Sequence, residues 1–122
     1  MVSLINAKEL NAYLNDEVSP TIIDVRVPEA YNRGHLPGAV NISREQLAGS
    51  LDVIPTDRPI VAYCNMHNPG NSGSEQAVDI LRDAGLHARA LDGGYPAWEE
   101  AGFPTDKTPH FLPEHWTSQN NR

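Results

Sequence analysis

Ile60-Val61-Ala62-Tyr63-Cys64, followed by Asn65-Met66-His67-Asn68-Pro69-Gly70-Asn71-Ser72-Gly73-Ser74, is the stretch on which the reading of this chain turns. Four apolar residues in a row predict a buried strand. The chain's only cysteine comes next, then a polar loop rich in Gly, Asn and Ser. Beyond the loop, Ala77, Ile80, Leu81 and Ala84 recur at helical spacing, with Val78 on the flank. Ser72 is expected to cap that helix, and Glu75 three residues on completes a capping box. The unit is therefore strand, cysteine, loop, helix. A helix N-terminus presents unpaired N–H groups and about half a positive charge. A loop coiled above it aims further N–H groups at the same point. A thiol held there is favoured as thiolate, its nucleophilic form. The same position also suits a small buried hydrophobe closing the end of a strand. Position alone leaves Cys64 open between these two roles.

Working outward, the chain has 122 residues, enough for one domain with a single modest core. Its net charge of −7 argues against non-specific nucleic-acid binding and against an anionic membrane surface. No apolar run approaches the ~20 residues of a bilayer span. The first residues lack the basic start and apolar centre of a signal peptide. A single cysteine forms no intrachain disulfide, so a cytoplasmic location is expected.

In chain order, Val2 to Ile5 is expected as a first strand. Asn6 then caps a helix, with Glu9 three residues later and Leu10, Tyr13 and Leu14 on one face. Thr21 to Val25 reads as a second strand, apolar enough to be buried on both faces of a parallel sheet. Asp24 at its carboxyl end has two readings: a group facing the ligand crevice, or an acceptor for nearby loop backbone. Arg26 is expected to pair with Glu29 or another acid. Pro28 opens a short helix through about Arg33. Gly34 to Ala39 is a turn, Val40 to Ile42 a short strand, and Ser43 the cap of a short helix containing Leu47 and Leu51. Gly85 stops the central helix, Ala88 to Leu91 is the last strand, and Pro96 begins a helix containing Trp98. Alternating strands and helices predict an α/β domain with a mostly parallel sheet, its active groups at the carboxyl strand ends. The domain is expected over residues 1–105, with 106–122 as a C-terminal tail.

Three stretches resemble the rhodanese-like domain family. Ile23-Asp24-Val25-Arg26 with Gly34-His35-Leu36-Pro37-Gly38-Ala39-Val40-Asn41 looks like its first signature. Val61-Ala62-Tyr63-Cys64 looks like its catalytic strand, and Leu91-Asp92-Gly93-Gly94-Tyr95-Pro96-Ala97-Trp98 through Gly102-Phe103-Pro104 like its closing signature. The resemblance implies a central five-stranded, mostly parallel sheet flanked by helices. It implies that Cys64 carries a persulfide sulfur from donor to acceptor. The substrate cradle is then Asn65, Met66, His67, Asn68, Pro69, Gly70, Asn71, Ser72 and Gly73, supported by Asp24, Arg26 and Ser74. The family's loop is shorter and holds an arginine followed by a serine. Counting back from Leu81 and Gly85 makes Ser74 the serine's counterpart and Gly73 the arginine's. Eight residues separate Cys64 from Gly73, and no Lys or Arg occurs between Cys64 and Arg82. Within the loop only His67 could add positive charge.

The functional expectation is a sulfurtransferase that moves a sulfane sulfur through a persulfide on Cys64. Its partners would be a small sulfur donor, such as thiosulfate or a glutathione or protein persulfide, and a thiol or other nucleophilic acceptor. The alternative is a non-catalytic rhodanese-like binding or regulatory module. A phosphatase or arsenate reductase fits less well, because phosphoryl transfer wants a cation on the equatorial oxygens and the loop carries no arginine. No zinc-type ligand set emerges from Cys64, His67, His110 and His115, and Gly70 to Ser74 lacks a P-loop lysine. No cofactor or metal is expected. The sequence does not specify an oligomeric state.

Overall fold

The computed structural model describes residues 4–65 and 73–107. Its elements run β1 (Leu4–Ile5), α1 (Ala7–Leu14), β2 (Thr21–Asp24), α2 (Pro28–Arg33), β3 (Val40–Asn41), α3 (Arg44–Leu47), a 3-10 turn (Ala48–Val53), β4 (Ile60–Tyr63), α4 (Gly73–Asp83), β5 (Ala88–Leu91) and α5 (Gly94–Glu100). The strands form one five-stranded sheet in the order β1-β5-β4-β2-β3, and every pairing is parallel. β4, the strand that ends at the cysteine, is central. All four residues of β4 and of β2 are buried, as their continuous apolar character predicts.

Side chains alternate across the strands and divide the interior into two cores. Ile60, Ala62 and Cys64 join Ile23, Val25, Leu47, Ala77, Val78 and Leu81 on the face covered by α3 and α4. Val61 and Tyr63 join Leu10, Tyr31, Leu36, Tyr95 and Trp98 on the face covered by α1, α2 and α5. Register reinforces the division, since Ile23 lies beside Ala62 and Asp24 beside Tyr63. The cysteine and the carboxylate of Asp24 therefore belong to opposite faces.

Local signals act as the residues predict at several ends. In α1 the Asn6 side chain accepts from Glu9 N–H at 2.8 Å, and Glu9 accepts from Asn6 N–H at 3.1 Å. Gly85 takes a left-handed φ of +87°. Its N–H reaches Arg82 O at 2.9 Å and Leu86 N–H reaches Leu81 O at 3.0 Å, the paired bonds of a Schellman stop.

Three expectations are corrected. α4 ends at Asp83, so Ala84 is exposed, whereas Val78 is fully buried rather than flanking. The segment holding Leu51 is 3-10 rather than α-helical. Gly49 weakens an α-helix there, and Ser50 Oγ donates back to Gln46 O at 2.9 Å. α5 starts at Gly94, two residues before Pro96. Proline is tolerated within the first turn because the N–H it lacks would have no intrahelical acceptor. Val2 and the cap at Ser72 lie outside the described residues, as do His110, Phe111, His115 and Trp116. Among the described residues no helix is long and apolar enough to cross a membrane.

Candidate active site

Cys64 is the first residue beyond β4, at the carboxyl end of the sheet. It is 6% exposed, closed in by the start of α4. Its Sγ donates to Ser74 Oγ at 3.5 Å. A Cβ built on Gly73 would stand 3.8 Å from Cys64 Cβ, so the first turn of the eleven-residue α4 rests directly against the cysteine. Behind the thiol, the Cys64 carbonyl accepts from Tyr95 N–H at 2.8 Å. That bond satisfies a first-turn amide of α5 and fixes the peptide carrying the sulfur. The thiol is thus held from two sides by elements remote in sequence.

The predicted cradle is described in part. Asn65 is an exposed bend residue on the rim of a cleft of about 250 Å³, which Arg26, Arg33 and Tyr95 also line. Gly73 opens α4 and adjoins Cys64. Met66, His67, Asn68, Pro69, Gly70, Asn71 and Ser72 lie outside the described residues. Of the three supporting residues, Ser74 is brought to the sulfur. Asp24 and Arg26 form a separate pair on the other side of the sheet.

That pair is a buried salt bridge. Asp24 is fully buried and accepts from Arg26 N–H at 2.9 Å, from Nε at 3.0 Å and from Nη2 at 2.7 Å. Of the two readings of Asp24, the bond to loop backbone is the one formed. Arg26 pairs with Asp24 rather than Glu29, and Nη2 also donates to Gly34 O at 2.6 Å. The guanidinium lies 4.3 Å from the Tyr95 ring centroid and 5.5 Å from that of Tyr63, within cation–π range. Burial works against the Arg26 charge, but the hydrogen bonds and charge of Asp24 outweigh it and raise its pKa further. Burial, and then the Asp24 charge, push the Tyr63 phenol far above its ordinary range. Tyr95 is raised too, first by burial and then by Glu99. The cluster is held in one state, Arg26 charged and both phenols neutral, and acts as a brace under the site.

Arg44 is the residue that reading the loop alone overlooked. It is the first residue of α3, and its N–H donates to Val25 O at 3.3 Å. Its Nη1 donates to Gln76 Oε1 on α4 at 2.8 Å. The same Nη1 lies 3.9 Å from the point where a Gly73 Cβ would sit, beside Cys64. The available signal was its place just past the carboxyl end of β3, the same end of the sheet as the cysteine.

Comparison with known proteins agrees with this geometry. The model of the rhodanese-like domain matches residues 6–101. The chain is 35% identical over 89 residues to the thiosulfate sulfurtransferase GlpE of Shewanella oneidensis, covering 72% of this chain and 84% of that protein. It is 44% identical over 87 residues to the HTH-type transcriptional regulator Rv0324 of Mycobacterium tuberculosis, covering 71% of this chain but 38% of the regulator's length. A rhodanese-related protein from Thermoplasma volcanium superposes with a TM-score of 0.77 at 27% identity, covering 88% of this chain and all of that one. A match of that extent, on a sheet whose central strand delivers a cysteine to the start of a helix, makes this chain a member of the rhodanese-like domain family.

Proposed function

We propose that the domain is a sulfurtransferase using Cys64 as its sulfur carrier. The observation that carries this reading is the seat of the sulfur: 3.5 Å from Ser74 Oγ, against the first turn of α4. The unpaired N–H groups and dipole of a helix start favour an anion there, whether thiolate or persulfide. In the first step the Cys64 thiolate attacks the outer sulfur of a donor such as thiosulfate. A Cys64–S bond forms, the donor's S–S bond breaks, and sulfite leaves with the electron pair. In the second step an acceptor thiolate attacks the outer sulfur. The Cys64–S bond breaks, the Cys64 thiolate is restored, and the acceptor leaves as a persulfide. No external oxidant or reductant is needed. The GlpE relative supports this chemistry.

The regulator relative favours a second reading, in which the domain senses or binds rather than turns over. Mass spectrometry separates the two. After incubation with thiosulfate or glutathione persulfide, the wild type is expected to gain one sulfur, and Cys64→Ser none. Failure of the wild type to load from either donor would overturn the sulfurtransferase reading in favour of the binding module. Turnover of an aryl phosphate by the wild type, lost in Cys64→Ser, would point to phosphatase chemistry.

A further inference from the structure

A thiosulfate dianion or a persulfide anion beside Cys64 needs compensating charge, yet the chain from Asn65 to Leu81 supplies no Lys or Arg. We propose that Arg44, entering from α3, is the cation that faces the anion at Cys64 and makes anionic sulfur donors acceptable. The proposal deepens the sulfurtransferase reading and rests on it.

Sheet geometry selects the side from which the charge arrives. Cys64 belongs to the face covered by α3 and α4. Arg26, although it lines the nearby cleft, has its charge engaged by the fully buried Asp24. Arg44 lies on the cysteine's own side. Its Nη1 and Cys64 Cβ are both within 4 Å of one point, the site of the missing side chain at Gly73. A glycine at 73 leaves that space open.

The guanidinium is also positioned and accessible. Its root is tied to the residue just past β2 through the bond from Arg44 N–H to Val25 O, and its tip to α4 through Gln76. Gln76 accepts a hydrogen bond without neutralising the charge. Among the described residues the carboxylate paired with Arg44 is Glu45, 3.8 Å away and itself 71% exposed, so water screens that pair heavily. With 46% of its side chain exposed, Arg44 can meet a donor arriving from solvent. A guanidinium offers several N–H groups in one plane, suited to the oxygens of a sulfonate-type group.

The single cysteine allows a test that does not depend on turnover. Alkylation rates are measured with iodoacetate, an anion, and iodoacetamide, its neutral counterpart. The ratio of the two rates reports positive charge at the sulfur and cancels changes in thiol reactivity common to both. Arg44→Gln is expected to lower the ratio about threefold to tenfold, as for one unit charge acting through partly solvated space. Arg44→Lys should restore part of it. Arg58→Gln makes the same change in net charge in the loop that leads into β4 at its amino end, and should leave the ratio unchanged. The rate of thiosulfate loading should fall in parallel with the ratio in Arg44→Gln. An unchanged ratio in Arg44→Gln, an equal fall in Arg58→Gln, or unaltered thiosulfate loading in a protein that does load would each overturn the role of Arg44. Failure of the wild type to take up sulfur would instead remove the sulfurtransferase reading, while the alkylation ratio still decides whether the Arg44 charge reaches the thiol.

Discussion

Replacing Asp24 with Ala tests the claim that the buried pair braces the site. The substitution deletes the acceptor of three Arg26 donors, Nε, Nη2 and the backbone N–H. Breaking one half of a buried ion pair costs about 3–5 kcal/mol, because the partner charge stays buried. Here Arg26 keeps its bond to Gly34 O and its place over Tyr95, which favours the lower end, about 3 kcal/mol. For 122 residues that corresponds to a fall in Tm of about 12 °C. Urea unfolding followed by circular dichroism measures the loss directly. The informative comparison is Asp24→Ala with Arg26→Met. Once the stranded guanidinium is gone, the double variant should be about 2 kcal/mol more stable than the two single losses predict together. Strict additivity, or an Asp24→Ala variant within about 0.5 kcal/mol of wild type, would refute the brace.

Tyr63→Phe should cost about 1–2 kcal/mol at neutral pH, because the N–H of Leu36 loses the phenol oxygen it meets at 3.1 Å. The same variant should change the alkaline limb of stability. In the unfolded chain a tyrosine loses its proton near pH 10, whereas folded Tyr63 holds it to much higher pH. Wild-type stability is therefore intact below about pH 10 and falls above it, by about 1.4 kcal/mol per pH unit for this group; Tyr63→Phe should fall less steeply, and equal slopes would contradict the assignment. Gly34→Ala should destabilise by about 1–3 kcal/mol, since the added Cβ would stand 2.6 Å from Tyr95 Oη and must displace the ring beneath Arg26. A Gly34→Ala variant as stable as wild type would show that the Tyr95 ring gives way freely.

Much of this fold is written in local signals. The capping box at Asn6 and Glu9, the buried runs of β2 and β4, and the stop at Gly85 each depend on residues within a turn or two of one another. The order of strands and helices predicts a mostly parallel sheet, and its five-stranded form is what the resemblance of the three signature stretches implies. What escaped the sequence depends on pairing at a distance. α5 begins at Gly94 with the Tyr95 N–H held by Cys64 O, a partner thirty-one positions back along the chain. Val78 is buried because α4 packs on two strands and α3 together, more than one stripe of helix can anticipate. The pairing of Arg26 with Asp24 lies within the expectation of Glu29 or another acid, but strand parity, which only the register reveals, sets both on the face opposite Cys64. Arg44 was missed for the same reason. It comes twenty residues before Cys64 in sequence, and only the packing of α3 on α4 makes them neighbours.

Among the described residues the two outermost strands, β1 and β3, are each two residues long. A short margin gives an incoming polypeptide few unpaired main-chain groups to continue the ladder, and so little encouragement toward amyloid-like growth or swapped assemblies. If the domain is the sulfurtransferase proposed above, an acceptor protein would find better purchase elsewhere, around the rim where Asn65 and Arg33 meet solvent. Recognition would then be governed by side-chain shape and charge at the mouth, leaving the β-framework undisturbed as cargo changes hands.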